Sequence, residues 1–104
     1  IRISLLIFGG ILLSGCDKAR APPEVTTGEQ LYGYYCAECH QSSGGGAFLT
    51  GVPTVKQTAL TYRELVARIL GHNRPKGSKM PAFDITKSQA EAIAIYIRRQ
   101  LKAG

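Results

Sequence analysis

Toward the C-terminus, apolar side chains at Ala90, Ile93, Ala94, Ile97 and Leu101 recur every three or four residues, while Lys87, Arg98, Arg99 and Lys102 mostly fall off that stripe. Such a period predicts an amphipathic helix with one face in a core and the rest in water. Thr86 with Gln89 marks its start, because each side chain can satisfy a backbone donor that the first turn leaves orphaned. The same device at Thr61 with Glu64 predicts a helix through Leu70 that Gly71 ends, and at Thr26 with Glu29 it predicts one running into Cys36. Residues 41–60 hold Gly44, Gly45, Gly46, Gly51 and Pro53, and residues 71–85 hold Pro75, Gly77 and Pro81, so both stretches read as loops. No alternating strand pattern or internal repeat competes. The expected architecture is all-α, with three to four helices and two loops long enough to wrap around something.

A different pattern opens the chain. Ile1 to Leu13 is nearly all apolar after Arg2, and it falls short of the ~20 residues that a helix needs to cross a bilayer. It reads as the core of an export signal, and because the chain opens on Ile, a few further residues with more positive charge are expected upstream. Leu13-Ser14-Gly15-Cys16 then resembles the bacterial lipoprotein signal, which implies cleavage before Cys16 and acylation of that cysteine. Asp17 resembles the signal that keeps some lipoproteins in the inner membrane. The competing account makes Cys16 an incidental thiol beside a short apolar anchor. The expected organisation is a signal peptide over residues 1–15, a lipidated cysteine and tether stiffened by Pro22 and Pro23 over 16–25, and a single domain over 26–104.

Length and charge narrow the function. A chain of 104 residues has room for one small domain, and a core that small gains from a buried prosthetic group. Thirteen Lys and Arg against seven Asp and Glu give a formal charge of +6, which suits an acidic protein, an anionic lipid surface or nucleic acid. Apart from Arg2, the basic residues are spread from Lys18 to Lys102 with no dense run or interleaved aromatics, which argues against nucleic acid.

Three cysteines do not make a simple disulfide framework, and two of them fall in Cys36-Ala37-Glu38-Cys39-His40. This is the spacing of covalent haem attachment. Two thiols three residues apart can form thioethers with both vinyl groups on one porphyrin edge, while the adjacent imidazole supplies the proximal iron ligand. A thioredoxin-like pair would need a βαβ context, and a zinc site would need a second ligand pair. For the sixth iron ligand the candidates are Met80, the only methionine, and His72, the only other histidine. Met80 is favoured, since it lies in a loop that Pro81 stiffens, and a thioether raises the potential relative to two nitrogen ligands.

Taken together, residues 26–104 resemble a class I, mono-haem cytochrome c of the short bacterial kind. Gly28, Tyr32 and Cys36 stand as in that family's first helix, where the glycine admits a close crossing by the last helix; Ile93 and Tyr96 match the partners on that helix. Met80-Pro81-Ala82-Phe83 resembles the family's methionine loop, and Leu49 and Phe83 resemble apolar residues packed on the haem. One departure follows His40: the family often has a proline whose carbonyl accepts the proximal histidine's other proton, whereas this chain reads Gly46-Ala47-Phe48-Leu49, with Pro53 late in the loop. Some backbone carbonyl of this loop is therefore expected to orient His40.

The resemblance implies one covalent haem c, single-electron transfer with no small-molecule substrate, and a redox protein partner such as a terminal oxidase, reductase or dehydrogenase. Lys79, Lys76, Arg74 and Lys56 are expected to ring the exposed haem edge and steer docking. With the lipid anchor, the protein belongs at the periplasmic or other extracytoplasmic face of the membrane. Two alternatives stay open: a dedicated haem subunit of one membrane complex, and a haem enzyme or gas-binding protein with an open sixth position.

Overall fold

The computed structural model describes residues 19–47, 49 and 51–102. Among these residues four α-helices follow one another: α1 over Gly28–Tyr35, α2 over Ala37–His40, α3 over Tyr62–Ile69 and α4 over Lys87–Tyr96. A π-helical turn, Ile97–Leu101, continues α4. Among the described residues there is no strand, only an isolated antiparallel bridge between Ala47 and Val52. The described residues thus form the all-α arrangement that the sequence predicts.

Each of the three longer helices opens on a capping box. At α3 the Thr61 hydroxyl accepts from the Glu64 N–H at 3.2 Å and Glu64 Oε1 accepts from the Thr61 N–H at 2.8 Å; Thr86 and Gln89 do the same for α4. At α1 the box sits one residue later than expected. Thr27, not Thr26, is the cap, and Gln30 Oε1 accepts from the N–H groups of both Thr26 and Thr27. The end of α3 is a Schellman motif, with Gly71 at φ +88°, its N–H on the Arg68 carbonyl and the His72 N–H on that of Ala67.

The predicted α4 stripe is the centre of the core: Ala90, Ile93, Ala94, Ile97 and Leu101 are all buried, against Leu31, Tyr32 and Tyr35 of α1 and Leu65, Val66 and Ile69 of α3. Burying a leucine or isoleucine of this kind contributes about 1.5–3 kcal/mol. Gly28 permits the α1–α4 crossing, since a Cβ there would lie 2.5 Å from the Ala92 carbonyl oxygen and 3.0 Å from Tyr96 Cβ. Tyr32 and Tyr96 pack beside that crossing with ring centroids 5.5 Å apart. The widened last turn is closed by the Lys102 N–H on the Ile97 carbonyl. Beside it, Arg98 and Lys102 donate to the carbonyls of Leu60 and Thr58, tying the C-terminus to the segment ahead of α3.

The body begins earlier than the expected boundary at residue 26. Ala21 is 8% exposed and belongs to the core, its N–H donates to the Tyr35 hydroxyl at 2.8 Å, and Arg20 pairs with Asp84 at 2.6 Å. Pro22 and Pro23 thus lie in a turn, closed by the Val25 N–H on the Pro22 carbonyl, and not in a free tether. The signal segment, Cys16 and Asp17 lie outside the described residues. Among the described residues no helix is long and apolar enough to cross a membrane.

Candidate functional site

The Cys-x-x-Cys-His motif occupies the break between α1 and α2. Cys36 ends α1, its N–H on the Tyr32 carbonyl at 2.8 Å, and its φ of −121° starts a new short helix at Ala37. After His40 the chain turns at Gln41, whose φ of 73° makes it the one described non-glycine residue in the left-handed region, a strain the surroundings must hold. They do so through the Tyr32 hydroxyl, which donates to the Gln41 carbonyl at 2.7 Å. The helix crossing and the motif are thereby joined by one side chain. Burial above all, and then the neighbouring Cys36 and Tyr96, push the Tyr32 hydroxyl well above the ordinary tyrosine range.

His40 Nδ1 lies 2.9 Å from the Pro53 carbonyl oxygen. A carbonyl only accepts, so Nδ1 carries the proton and Nε2 is the nitrogen left to bind a metal. Pro53, late in the loop though it is, is therefore the orienting partner. Two tight turns bring it back: Gly44 and Gly46 have φ of +79° and +75°, the Gly46 N–H donates to the His40 carbonyl, and a Cβ on Gly46 would stand 2.6 Å from the Val52 carbonyl oxygen.

Cys36, Cys39 and His40 line a cleft of about 440 Å³, together with Val52 and Pro53 from one loop and Met80, Pro81 and Phe83 from the other. That volume is in the range of small-molecule and cofactor sites. Neither cysteine is in a disulfide, and no group of three His, Cys, Asp or Glu side chains converges among the described residues to hold a bare metal ion. Two thiols and a histidine with its Nε2 unclaimed, in a mostly apolar cleft, fit a covalently held haem better than a zinc ion or a redox disulfide. Tyr35 braces the floor: its ring meets Phe83 edge-on at 5.6 Å, and its hydroxyl donates to the Asp84 carbonyl at 2.8 Å.

Residues 23–97 match the family described as cytochrome C oxidase, cbb3-type, subunit III. The chain belongs to this family of c-type cytochromes. As a cytochrome c domain it holds haem c covalently and serves haem-based electron transfer, and families of this type are extracytoplasmic. It is also 34% identical over 80 residues, 74% of its length, to the quinohemoprotein alcohol dehydrogenase ADH IIB of Pseudomonas putida. The cytochrome spans 11% of the length of that relative, so the likeness concerns a small part of a much larger protein.

Within the cytochrome, the structure brings Cys36, Cys39, His40, Met80 and Phe83 to one cleft and leaves others out. Leu49 is 93% exposed and absent from the lining. The Ala47–Val52 bridge closes a turn that carries Leu49 outward, and Val52 supplies the apolar contact from this loop. His72 is exposed at the end of the Schellman motif, away from the cleft. Lys76 and Lys79 line the cleft and are exposed, whereas Lys56 packs beside Gly44. Arg74 departs from the expected basic rim, since its guanidinium turns onto four backbone carbonyls. Sequence reasoning missed Tyr35, which was readable only as an apolar position four residues after Leu31.

Proposed function

We propose that this cytochrome carries one haem, attached through Cys36 and Cys39 and ligated by His40 and Met80, and that it works as a lipid-anchored single-electron carrier. One observation supports this above the rest: Met80 lines the cleft that holds the two cysteines and His40, while His72 lies outside it. Haem c supplies a one-electron iron couple when bound. The chain's own residues do the remainder. The Pro53 carbonyl holds the proton on Nδ1 of His40 and so fixes the ring and the basicity of Nε2. Val52, Pro53, Pro81 and Phe83 give the cleft apolar walls.

Lys76 and Lys79 at the mouth suit an acidic docking face on a redox partner, with electron-transfer rates that fall as salt rises. The family description favours a terminal oxidase as that partner and the Pseudomonas putida relative a dehydrogenase. A second reading, a haem subunit fixed in one complex, is favoured by the same two names, each of which belongs to a larger redox protein. Co-purification in mild detergent separates the two, because a fixed subunit stays with its complex.

The test is production of the full chain with haem-attachment machinery, followed by a pyridine haemochrome assay and visible spectra. The reading expects thioether-linked haem at one per chain, a ferric thioether-to-iron charge-transfer band that His72→Ala retains and Met80→Ala loses, and no carbon monoxide binding by the native reduced protein. Ready carbon monoxide binding would return the open-site alternative. Cys16→Ser is expected to move the protein from the membrane to the soluble extracytoplasmic fraction.

A further inference from the structure

Arg74 sits within the loop that leads from α3 to Met80, and its guanidinium touches both ends of that loop. Nε donates to the Arg68 carbonyl at 3.2 Å and one Nη to that of Ile69 at 3.4 Å, both in the last turn of α3. The other Nη donates to the carbonyls of Met80 at 2.6 Å and Pro81 at 2.7 Å. The cation also stands 5.8 Å from the centre of the Phe83 ring. The terminal carbonyls of α3 carry partial negative charge, and the rigid planar fork of a guanidinium holds several acceptors in fixed directions, whereas a lysine ammonium offers three donors from one point on a flexible stem.

Little else holds this segment. Apart from bonds to Arg74, the hydrogen bonds of residues 75–81 are local: the Ser78 N–H on the Pro75 carbonyl and the Met80 N–H on the Ser78 hydroxyl. Gly77, at φ +83°, adds a turn and no anchor. The backbone of the methionine is therefore tied to the helical body chiefly by one guanidinium.

We propose that Arg74 is the positioning residue for Met80, clamping the methionine backbone to the C-terminus of α3 so that the thioether is presented at a fixed place in the cleft. The inference rests on the His40 and Met80 ligation proposed above. It assigns Arg74 a task inside the molecule, distinct from the docking surface that its charge suggests in the sequence.

The test compares haem-loaded wild type, Arg74→Ala and Arg74→Lys. With the clamp gone, imidazole competes more easily for the methionine's place, so its affinity for the ferric Arg74→Ala protein is expected to rise about tenfold or more, equivalent to ~1.4 kcal/mol. The charge-transfer band should weaken and disappear at lower urea than the far-ultraviolet helix signal does, with Arg74→Lys intermediate. Unchanged imidazole affinity and an intact band in Arg74→Ala would overturn the clamp, even if overall stability falls. Should Arg74→Ala fail to fold, Arg74→Lys carries the same comparison. A wild type without the band would defeat the methionine ligation instead. The clamp is then read from hydrogen exchange at the amides of Lys79, Met80 and Ala82, where faster exchange in the variant supports it and equal exchange refutes it.

Discussion

The Nδ1 atom of His40 and the carbonyl oxygen of Pro53 lie 2.9 Å apart across a thirteen-residue separation in sequence. Donation from Nδ1 makes Nε2 a more electron-rich ligand, which favours ferric iron. Pro53→Gly frees the backbone at that carbonyl and weakens the bond. The reduction potential is expected to rise by on the order of 30 mV, about threefold in the ferric-to-ferrous ratio given 59 mV per decade for one electron. A redox titration decides it, and a potential that falls would contradict the role assigned to this bond.

Gly28 should tolerate no side chain. Alanine would bring its Cβ to 2.5 Å from the Ala92 carbonyl oxygen, so α1 and α4 must part, at a cost of about 1–3 kcal/mol. Alanine's better helix propensity returns at most ~1 kcal/mol of that. Urea denaturation of Gly28→Ala measures the balance; a variant as stable as wild type would mean that the crossing has slack.

The register of the first capping box can be checked by two substitutions. Thr27→Ala removes a hydroxyl that caps α1 and is expected to cost about 1 kcal/mol. Thr26→Ala should change stability by only a few tenths of that. The opposite ranking in denaturant melts would restore the box one residue earlier.

Much of the fold was legible because helix starts are written locally. Thr61 with Glu64 and Thr86 with Gln89 act within one turn, and the α4 stripe needs only a period to be seen. Thr26-Thr27-Gly28-Glu29-Gln30 offers two overlapping boxes, and choosing between them depends on placing Tyr32 in the core, which no local pattern encodes. The cysteines, His40 and Met80 were readable from spacing and scarcity. Pro53 was not, because the left-handed turns at Gly44 and Gly46 fold the loop back on itself, so separation in sequence misstates separation in space. Arg74 was misplaced for a related reason: an arginine among lysines looks like part of a charged surface until its carbonyl acceptors are seen.

Tyr32 predicts a pH effect. Its hydroxyl donates to the Gln41 carbonyl, and burial above all raises its titration in the folded protein. An unfolded tyrosine ionises near pH ~10. Above that pH the unfolded chain binds fewer protons than the folded one, so stability that is complete below it declines as pH rises. Tyr32→Phe is expected to lose ~1 kcal/mol at neutral pH through the missing hydrogen bond. The gap to wild type should then shrink above pH ~10. Denaturation curves at pH 7 and at alkaline pH test this, and a gap that stays constant would sink it.

The seat of Ala21 in the core, held by the Tyr35 hydroxyl, governs how far the domain can stray. With the acyl anchor proposed at Cys16, five peptide steps separate the anchor from that seat, and even a fully stretched backbone covers no more than ~18 Å over them. On a leash this short the domain would not tumble freely above the bilayer. Under that proposal the flank bearing Arg20 and Asp84 would stay low against the lipid, and encounters with a partner would be confined to the plane of the membrane.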